Sequence, residues 1–273
     1  MDINSILIAL AVLGGLGILF AIILYVASRF FYVPVDERVE AVRGELPGAN
    51  CGACGFPGCD GLAAAIINDD ASLSSCPVGG ADLTERLSEL LGRVGDAAAK
   101  KVAFVKCKGT EECAKSKFEY TGIRDCRVNA SLQGGNKACS SGCLGCGTCV
   151  DVCQFDSIHI LDGVAVVDRE KCTACEMCIG ICPRNLIELT PYDQDVYVLC
   201  NSQDKGKDVR SNCEVGCIGC KICEKECPVN AITVTNNLAY IDTDDCINCG
   251  MCIVKCPRDT IIDYEGAFAI KNK

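Results

Sequence analysis

The sequence predicts an α+β chain built from an apolar N-terminal helix, a small helical cysteine domain and two copies of a compact cysteine-rich unit. Three observations carry that prediction. The residues between Asp2 and Arg29 contain no formal charge. Twenty-six cysteines are spread through 273 residues, mostly in short clusters. The eight cysteines of two four-cysteine runs recur at one constant offset of 74 positions, and repetition that regular marks a duplicated structural unit.

The uncharged stretch, INSILIALAVLGGLGILFAIILYVAS, is 26 residues long, and a helix crosses a bilayer with about 20. A secretory signal would start basic and carry an apolar run of about 7–15 residues. This segment begins Met-Asp and runs longer, so residues 1–29 read as an uncleaved, single-pass anchor. Arg29, Arg38 and Arg43 all follow it. The positive-inside tendency therefore places the rest of the chain on the cytoplasmic side of the cytoplasmic membrane. Gly14, Gly15 and Gly17 either offer a flat patch to another transmembrane helix or simply face lipid. A lone helix without an internal charge is not an ion path.

Cysteine at this density in a short secreted chain would indicate a disulfide scaffold. Here nearly half the residues are apolar and the length implies several domains, so metal ligation in a reducing compartment is the stronger reading. His159 is the only histidine, which leaves all-thiolate sites and removes Rieske and mixed Cys/His centres. His159 itself reads as an ordinary strand residue. The formal charge of −10 argues against a nucleic-acid partner, because phosphate binding relies on clustered cations.

Residues 30–100 carry LPGANCGACGFPGCDGLAAAI and, further on, CPVGG. The spacing Cys51-x2-Cys54-x4-Cys59-x16-Cys76, set among glycines, supplies four thiolates for one 4Fe-4S cluster. It lacks the paired two-residue knuckles of a zinc ribbon. Residues 62–68 and 82–99 read as helices, with Leu83, Leu87, Leu90, Leu91 and Val94 as core.

The repeated unit holds two Cys-x2-Cys-x2-Cys-x3-Cys runs. In residues 142–199 they are Cys143, Cys146, Cys149, Cys153 and Cys172, Cys175, Cys178, Cys182. In residues 200–273 they are Cys217, Cys220, Cys223, Cys227 and Cys246, Cys249, Cys252, Cys256. This pattern resembles the bacterial two-cluster ferredoxins, in which the fourth cysteine of a run serves the other cluster. The resemblance implies four ligand sets: Cys143, Cys146, Cys149 with Cys182; Cys172, Cys175, Cys178 with Cys153; Cys217, Cys220, Cys223 with Cys256; and Cys246, Cys249, Cys252 with Cys227. Between the runs, SIHILDGVAVVD and AITVTNNLAYID read as hairpins around Asp-Gly and Asn-Asn. The expected fold is thus two tandem ferredoxin-like modules behind the 4Fe-4S domain. Proline follows Cys182, Cys227 and Cys256 but Gln154 follows Cys153, a difference that shapes the turn and ligates nothing.

Six cysteines remain. Cys107, Cys113, Cys126 and Cys139 either hold a sixth cluster beyond the five or pack as small apolar groups, while Cys200 and Cys213 read as structural. The connector, residues 101–141, belongs to a locally basic stretch. From Lys100 to Arg127 there are eight cations (Lys100, Lys101, Lys106, Lys108, Lys115, Lys117, Arg124, Arg127) against four acids (Glu111, Glu112, Glu119, Asp125). It reads either as a docking surface for an acidic electron carrier or as a solvated face.

An anchor, then GANCGACGFPGCDGLA with CPVGG, then two ferredoxin units together resemble the B subunits of Rnf complexes, the ion-pumping ferredoxin:NAD oxidoreductases of bacterial membranes. The resemblance implies an oxidoreductase subunit that takes electrons from reduced ferredoxin and relays them to other membrane and peripheral subunits. The residues themselves support the relay. The glycines of 52–58 surround thiols and do not join a strand to a helix, so no NAD or flavin site is expected on this chain. A relay for a hydrogenase or formate-oxidising complex, and a cluster-bearing redox sensor, are the alternative readings.

Overall fold

The computed structural model describes residues 3–31, 36–95 and 99–264. Helix α1 (Ile3–Phe30) is apolar all round. Its segment Leu10–Phe30 has a mean hydropathy of 2.6 and is long and apolar enough to cross a membrane. Leu10, Leu13, Ile18, Leu24 and Tyr25 are exposed on several faces, and a helix of that kind needs lipid or a large core around it.

Helices α2 (Glu37–Glu45), α3 (Gly58–Ile67) and α4 (Gly80–Leu91) form the first domain. Asp36 caps α2 by accepting from the Arg38 amide at 2.9 Å. Val42, Leu62, Ile66, Leu83 and Leu87 make its core. The expected helix over 82–99 stops earlier, at Gly92, which adopts φ +62° and terminates α4. Val94, beyond that stop, is 99 % exposed, and Leu90 falls on the outer face. The buried stripe is Leu83 and Leu87, with Leu91 packed against it, at the four-residue spacing of one helix face.

The remaining elements are β1 (Lys101–Val105), α5 (Cys126–Ser131), α6 (Thr148–Asp151), β2 (Ile158–Leu161), β3 (Val164–Val167), α7 (Met177–Ile181), β4 (Ile187–Pro191), β5 (Val196–Val198), α8 (Gly206–Asn212), α9 (Ile222–Glu226), β6 (Ile232–Thr235), β7 (Leu238–Ile241), α10 (Met251–Lys255) and β8 (Ile261–Asp263). They form four two-stranded antiparallel sheets, β1/β4, β2/β3, β5/β8 and β6/β7. The hairpins form where Asp-Gly and Asn-Asn lie between β-branched runs. Asp162 and Gly163 take φ +47° and +75°, and Asn236 and Asn237 take +50° and +63°, the paired positive φ of a tight hairpin turn.

β1 lies in the stretch read as connector, yet it pairs Lys101 through Val105 with Pro191 through Ile187. β5 precedes residue 200 and pairs with β8. Each half is thus closed by a strand that precedes its first cysteine run. Two separate cores result, one built on Cys143, Cys149, Cys172 and Cys178 with Ile158, Val164 and Leu186, the other on Cys217, Cys223 and Cys252 with Ile232, Ile241 and Ile261. Phe104 stacks on Tyr197 across the seam at 4.9 Å, and the Lys108 amide donates to the Leu199 carbonyl at 3.2 Å.

Candidate metal centres

Cys51, Cys54, Cys59 and Cys76 line one cavity of about 300 Å³ between the 47–58 loop and the start of α3. Asn50 Oδ1 accepts from the Cys59 amide at 2.8 Å and lies 3.1 Å from where a Cβ on Gly58 would sit. A larger residue there would push the loop away from the thiols. Burial raises the Cys76 thiol, opposed by donation from the Gly79 and Val78 amides.

In the first repeated unit, Cys143, Cys149 and Cys182 line a cavity of about 370 Å³. Burial raises Cys149 strongly, with further contributions from Cys143, Cys126, Cys182 and Cys178. Cys178 is pushed up to about 12 by burial and then by Cys172, Cys175 and Cys153. Cys153 goes the other way. Burial opposes it, but the Ser157 hydroxyl at 3.2 Å and the amides of Ser157, Phe155 and Ile158 hold it below the ordinary thiol value.

The second unit repeats this arrangement. Cys217, Cys220, Cys223 and Cys256 line a cavity of about 360 Å³. Burial first, then Cys217, Cys220 and Cys256, push Cys223 up to about 12. Burial, then Cys246, Cys249 and Cys227, push Cys252 up to about 11. Cys182 thus shares a cavity with Cys143 and Cys149, and Cys256 with Cys217, Cys220 and Cys223, while Cys153 acts on Cys178 and Cys227 on Cys252. Short helices α6, α7, α9 and α10 each bury the third cysteine of a run.

Zinc holds its thiolates at about 2.3 Å from one centre. Among the described residues, no three His, Cys, Asp or Glu side chains converge at single-ion range. The quartets are all-thiolate, and soft thiolates suit an iron-sulfur cube. Thiols held neutral by burial would release protons as iron binds.

The sixth expected set is divided. Cys126 lines the cavity of the Cys143 set, while Cys146 accepts from Asn129 Nδ2 at 3.3 Å. Cys113 does not line those cavities but, like Cys139, acts on Cys213, and its carbonyl accepts from the Glu214 amide at 2.8 Å. Cys107 and Cys139 line a cavity of about 480 Å³ together with Cys200 and Cys213. Sequence signals for that grouping exist, in the 74-residue offset from Cys139 to Cys213 and in the strand-end positions of Cys107 and Cys200.

Several cations of the basic stretch are engaged internally. Lys106 pairs with Glu188, Lys108 Nζ donates to the Asp259 carbonyl at 3.1 Å, Lys117 Nζ to the Gln133 carbonyl at 2.8 Å, and Arg127 holds Asp125 at 2.6 Å. His159 occupies β2 opposite Val166.

An Fe-S cluster family model matches residues 46–78, and models of a 4Fe-4S dicluster domain match residues 136–196 and 216–260. The chain is 48 % identical over 259 residues to the B subunit of the Na(+)-translocating ferredoxin:NAD(+) oxidoreductase complex of Acetobacterium woodii, covering 94 % of this chain and 78 % of that one. It is 44 % identical to the B subunit of the ion-translocating oxidoreductase complex of Methanosarcina acetivorans, over 94 % of this chain and 98 % of the relative. With the B subunit of the proton-translocating ferredoxin:NAD(+) oxidoreductase complex of Clostridium ljungdahlii the identity is 38 %, over 94 % and 92 %.

Proposed function

The chain belongs to the B-subunit family of ion-translocating ferredoxin:NAD(+) oxidoreductase complexes, and from that premise we propose that it accepts electrons from reduced ferredoxin and relays them to partner subunits. It is an iron-sulfur electron-transfer subunit carrying several clusters. Five ligand sets are proposed: Cys51, Cys54, Cys59, Cys76; Cys143, Cys146, Cys149, Cys182; Cys172, Cys175, Cys178, Cys153; Cys217, Cys220, Cys223, Cys256; and Cys246, Cys249, Cys252, Cys227. When bound, each cluster supplies a one-electron carrier.

The observation that carries this reading is the adjacency of the quartets. Cys51 is close enough to act on Cys175, and Cys178 acts on Cys149. The Cys51 quartet and the two quartets of the first unit thus lie within electrostatic range of one another, which supports a relay over an isolated sensor. Cys220 and Cys249 are exposed, with Ile247, Met251 and Val254 exposed around the latter. Exposed apolar side chains beside near-surface thiols favour a docking face, so ferredoxin is proposed to deliver at the second unit. The Cys51 quartet follows the anchor in sequence and is the proposed exit toward the membrane, with the cluster domains on the cytoplasmic side. NAD reduction and ion export are assigned to other subunits, since the glycines of 52–58 surround thiols and do not join a strand to a helix, and residues 3–28 carry no charge.

Rapid mixing of the anaerobic chain with reduced ferredoxin tests the proposal. Bleaching of the cluster absorbance within one turnover of the complex is expected. Clusters that ferredoxin leaves oxidised on that timescale would refute it.

A further inference from the structure

The seam between the two repeated units is lined by thiols from both. Cys107 follows β1 by two residues and Cys200 follows β5 by two, while Cys139 and Cys213 each precede a first run by four. Either unit alone supplies two of the four. The sulfurs of Cys213 and Cys107 lie 3.5 and 3.7 Å from the point where a Cβ on Gly109 would sit, and Cys139 Sγ lies 3.4 Å from the equivalent point on Gly142. Backbone amides face these sulfurs. Cys143 N donates to Cys107 Sγ at 3.4 Å, Ser202 and Cys217 donate to Cys200, and Val215 and Gly216 to Cys213.

A buried cation lines the same cavity. Lys137 is 3 % exposed, and its Nζ donates to the Gly109 and Gly163 carbonyls at 2.7 and 2.9 Å. Among the described residues no carboxylate forms an ion pair with it. With neutral thiols the one carboxylate lining that cavity is Asp204, whose Oδ2 already accepts from the Ser202 hydroxyl at 3.0 Å, so the buried charge has no ion-pair partner there. An anionic occupant would balance it.

We propose that Cys107, Cys139, Cys200 and Cys213 hold an additional 4Fe-4S cluster in this seam, connecting the clusters of one unit to those of the other. The inference rests on the relay reading above. Four thiol protons leave as four iron–sulfur bonds form to a doubly positive cube, so the site carries a net charge of minus two beside Lys137. One electron from a neighbouring cluster reduces the cube by one unit, and the same electron passes on to the cluster beyond, so nothing is consumed. The Cys143 amide links the site to a proposed ligand of the first unit, and the Cys217 amide links it to one of the second. Each flanking cluster is then one hydrogen bond from the seam.

The test is iron, sulfide and zinc per chain on full-length protein loaded anaerobically in detergent, with Cys200→Ala, Cys213→Ala and Cys113→Ala alongside the parent. Expected are about twenty-four irons in the parent, a loss of about four in each of the first two variants and none in Cys113→Ala. About twenty irons in the parent overturns the inference whether or not a variant folds, and leaves the five-cluster relay standing. Loss in Cys113→Ala without loss in Cys200→Ala overturns the ligand set, and one zinc in place of four irons overturns the cluster. Iron near zero in the parent overturns the relay reading as well.

Discussion

Replacing Gly219 by alanine should release the loop that carries Cys217 and Cys220. Gly219 adopts φ +64°, and a Cβ there would stand 2.8 Å from the Asn237 Cα and 2.9 Å from its carbonyl oxygen. Those are backbone atoms of the β6–β7 turn, which cannot swing aside as a side-chain end could. The left-handed conformation costs about 1–2 kcal/mol for an L-residue, and forcing the two segments apart adds about 1–3 kcal/mol. A sum of about 2–5 kcal/mol lowers the melting temperature of a domain this size by at least about 8 °C. Amide hydrogen exchange should accelerate across β6 and β7, with loss of the cluster proposed for Cys217, Cys220, Cys223 and Cys256. Gly145→Ala should do the same to the first unit, where the Cβ would meet the Gly163 carbonyl oxygen at 2.6 Å. Gly180→Ala is the control, since nothing lies within 4 Å of its Cβ position. Unchanged melting, exchange and iron in Gly219→Ala would refute the packing argument.

Because Cys126 lines the cavity of the Cys143 set, Cys146→Ala alone should retain that cluster, and only the double variant with Cys126→Ala should lose about four irons by elemental analysis. Lys137→Gln should keep the iron count but lower the reduction potential of one cluster in an EPR-monitored titration, because the buried positive charge stabilises the reduced form. With clusters removed, stability should fall as pH rises. Cys143 and Cys252 are pushed up to about 11 and Cys178, Cys200 and Cys223 to about 12 by burial, against 9.0 for an ordinary thiol. Their contribution is complete below about pH 9 and is lost between there and about pH 12. In the loaded chain the ligand thiols are already deprotonated, so thermal melts from pH 7 to 11 should be flatter. Neutralising exposed Lys115 should change ferredoxin reduction rates little at any salt concentration if the carrier docks on the second unit.

The cysteine runs and hairpins were legible because spacing and turn chemistry are local. Asp162-Gly163 and Asn236-Asn237 announce their turns, and the 74-residue offset announces the duplication. What spacing does not reveal is which distant strand closes each unit. KVAFV at 101–105 reads as a β-like string, but its pairing with β4 depends on the chain returning some 80 residues later. The seam was only partly legible, through the 74-residue offset of Cys139 and Cys213. Cys200 and Cys213 lack two partners in their own copy and gain them only when the copies pack together. Lys137 resembles any surface lysine until burial and two carbonyl acceptors mark it out. The end of α4 at Gly92 was readable from the glycine itself but was overridden by the leucine stripe.

Electron-relay function rests on the cysteine quartets holding iron-sulfur cubes, and total iron, acid-labile sulfide and zinc on the anaerobically purified full chain test that most directly. At least about twenty irons matched by as many sulfides, with negligible zinc, are predicted. Zinc in place of iron, or iron without sulfide, would contradict the account.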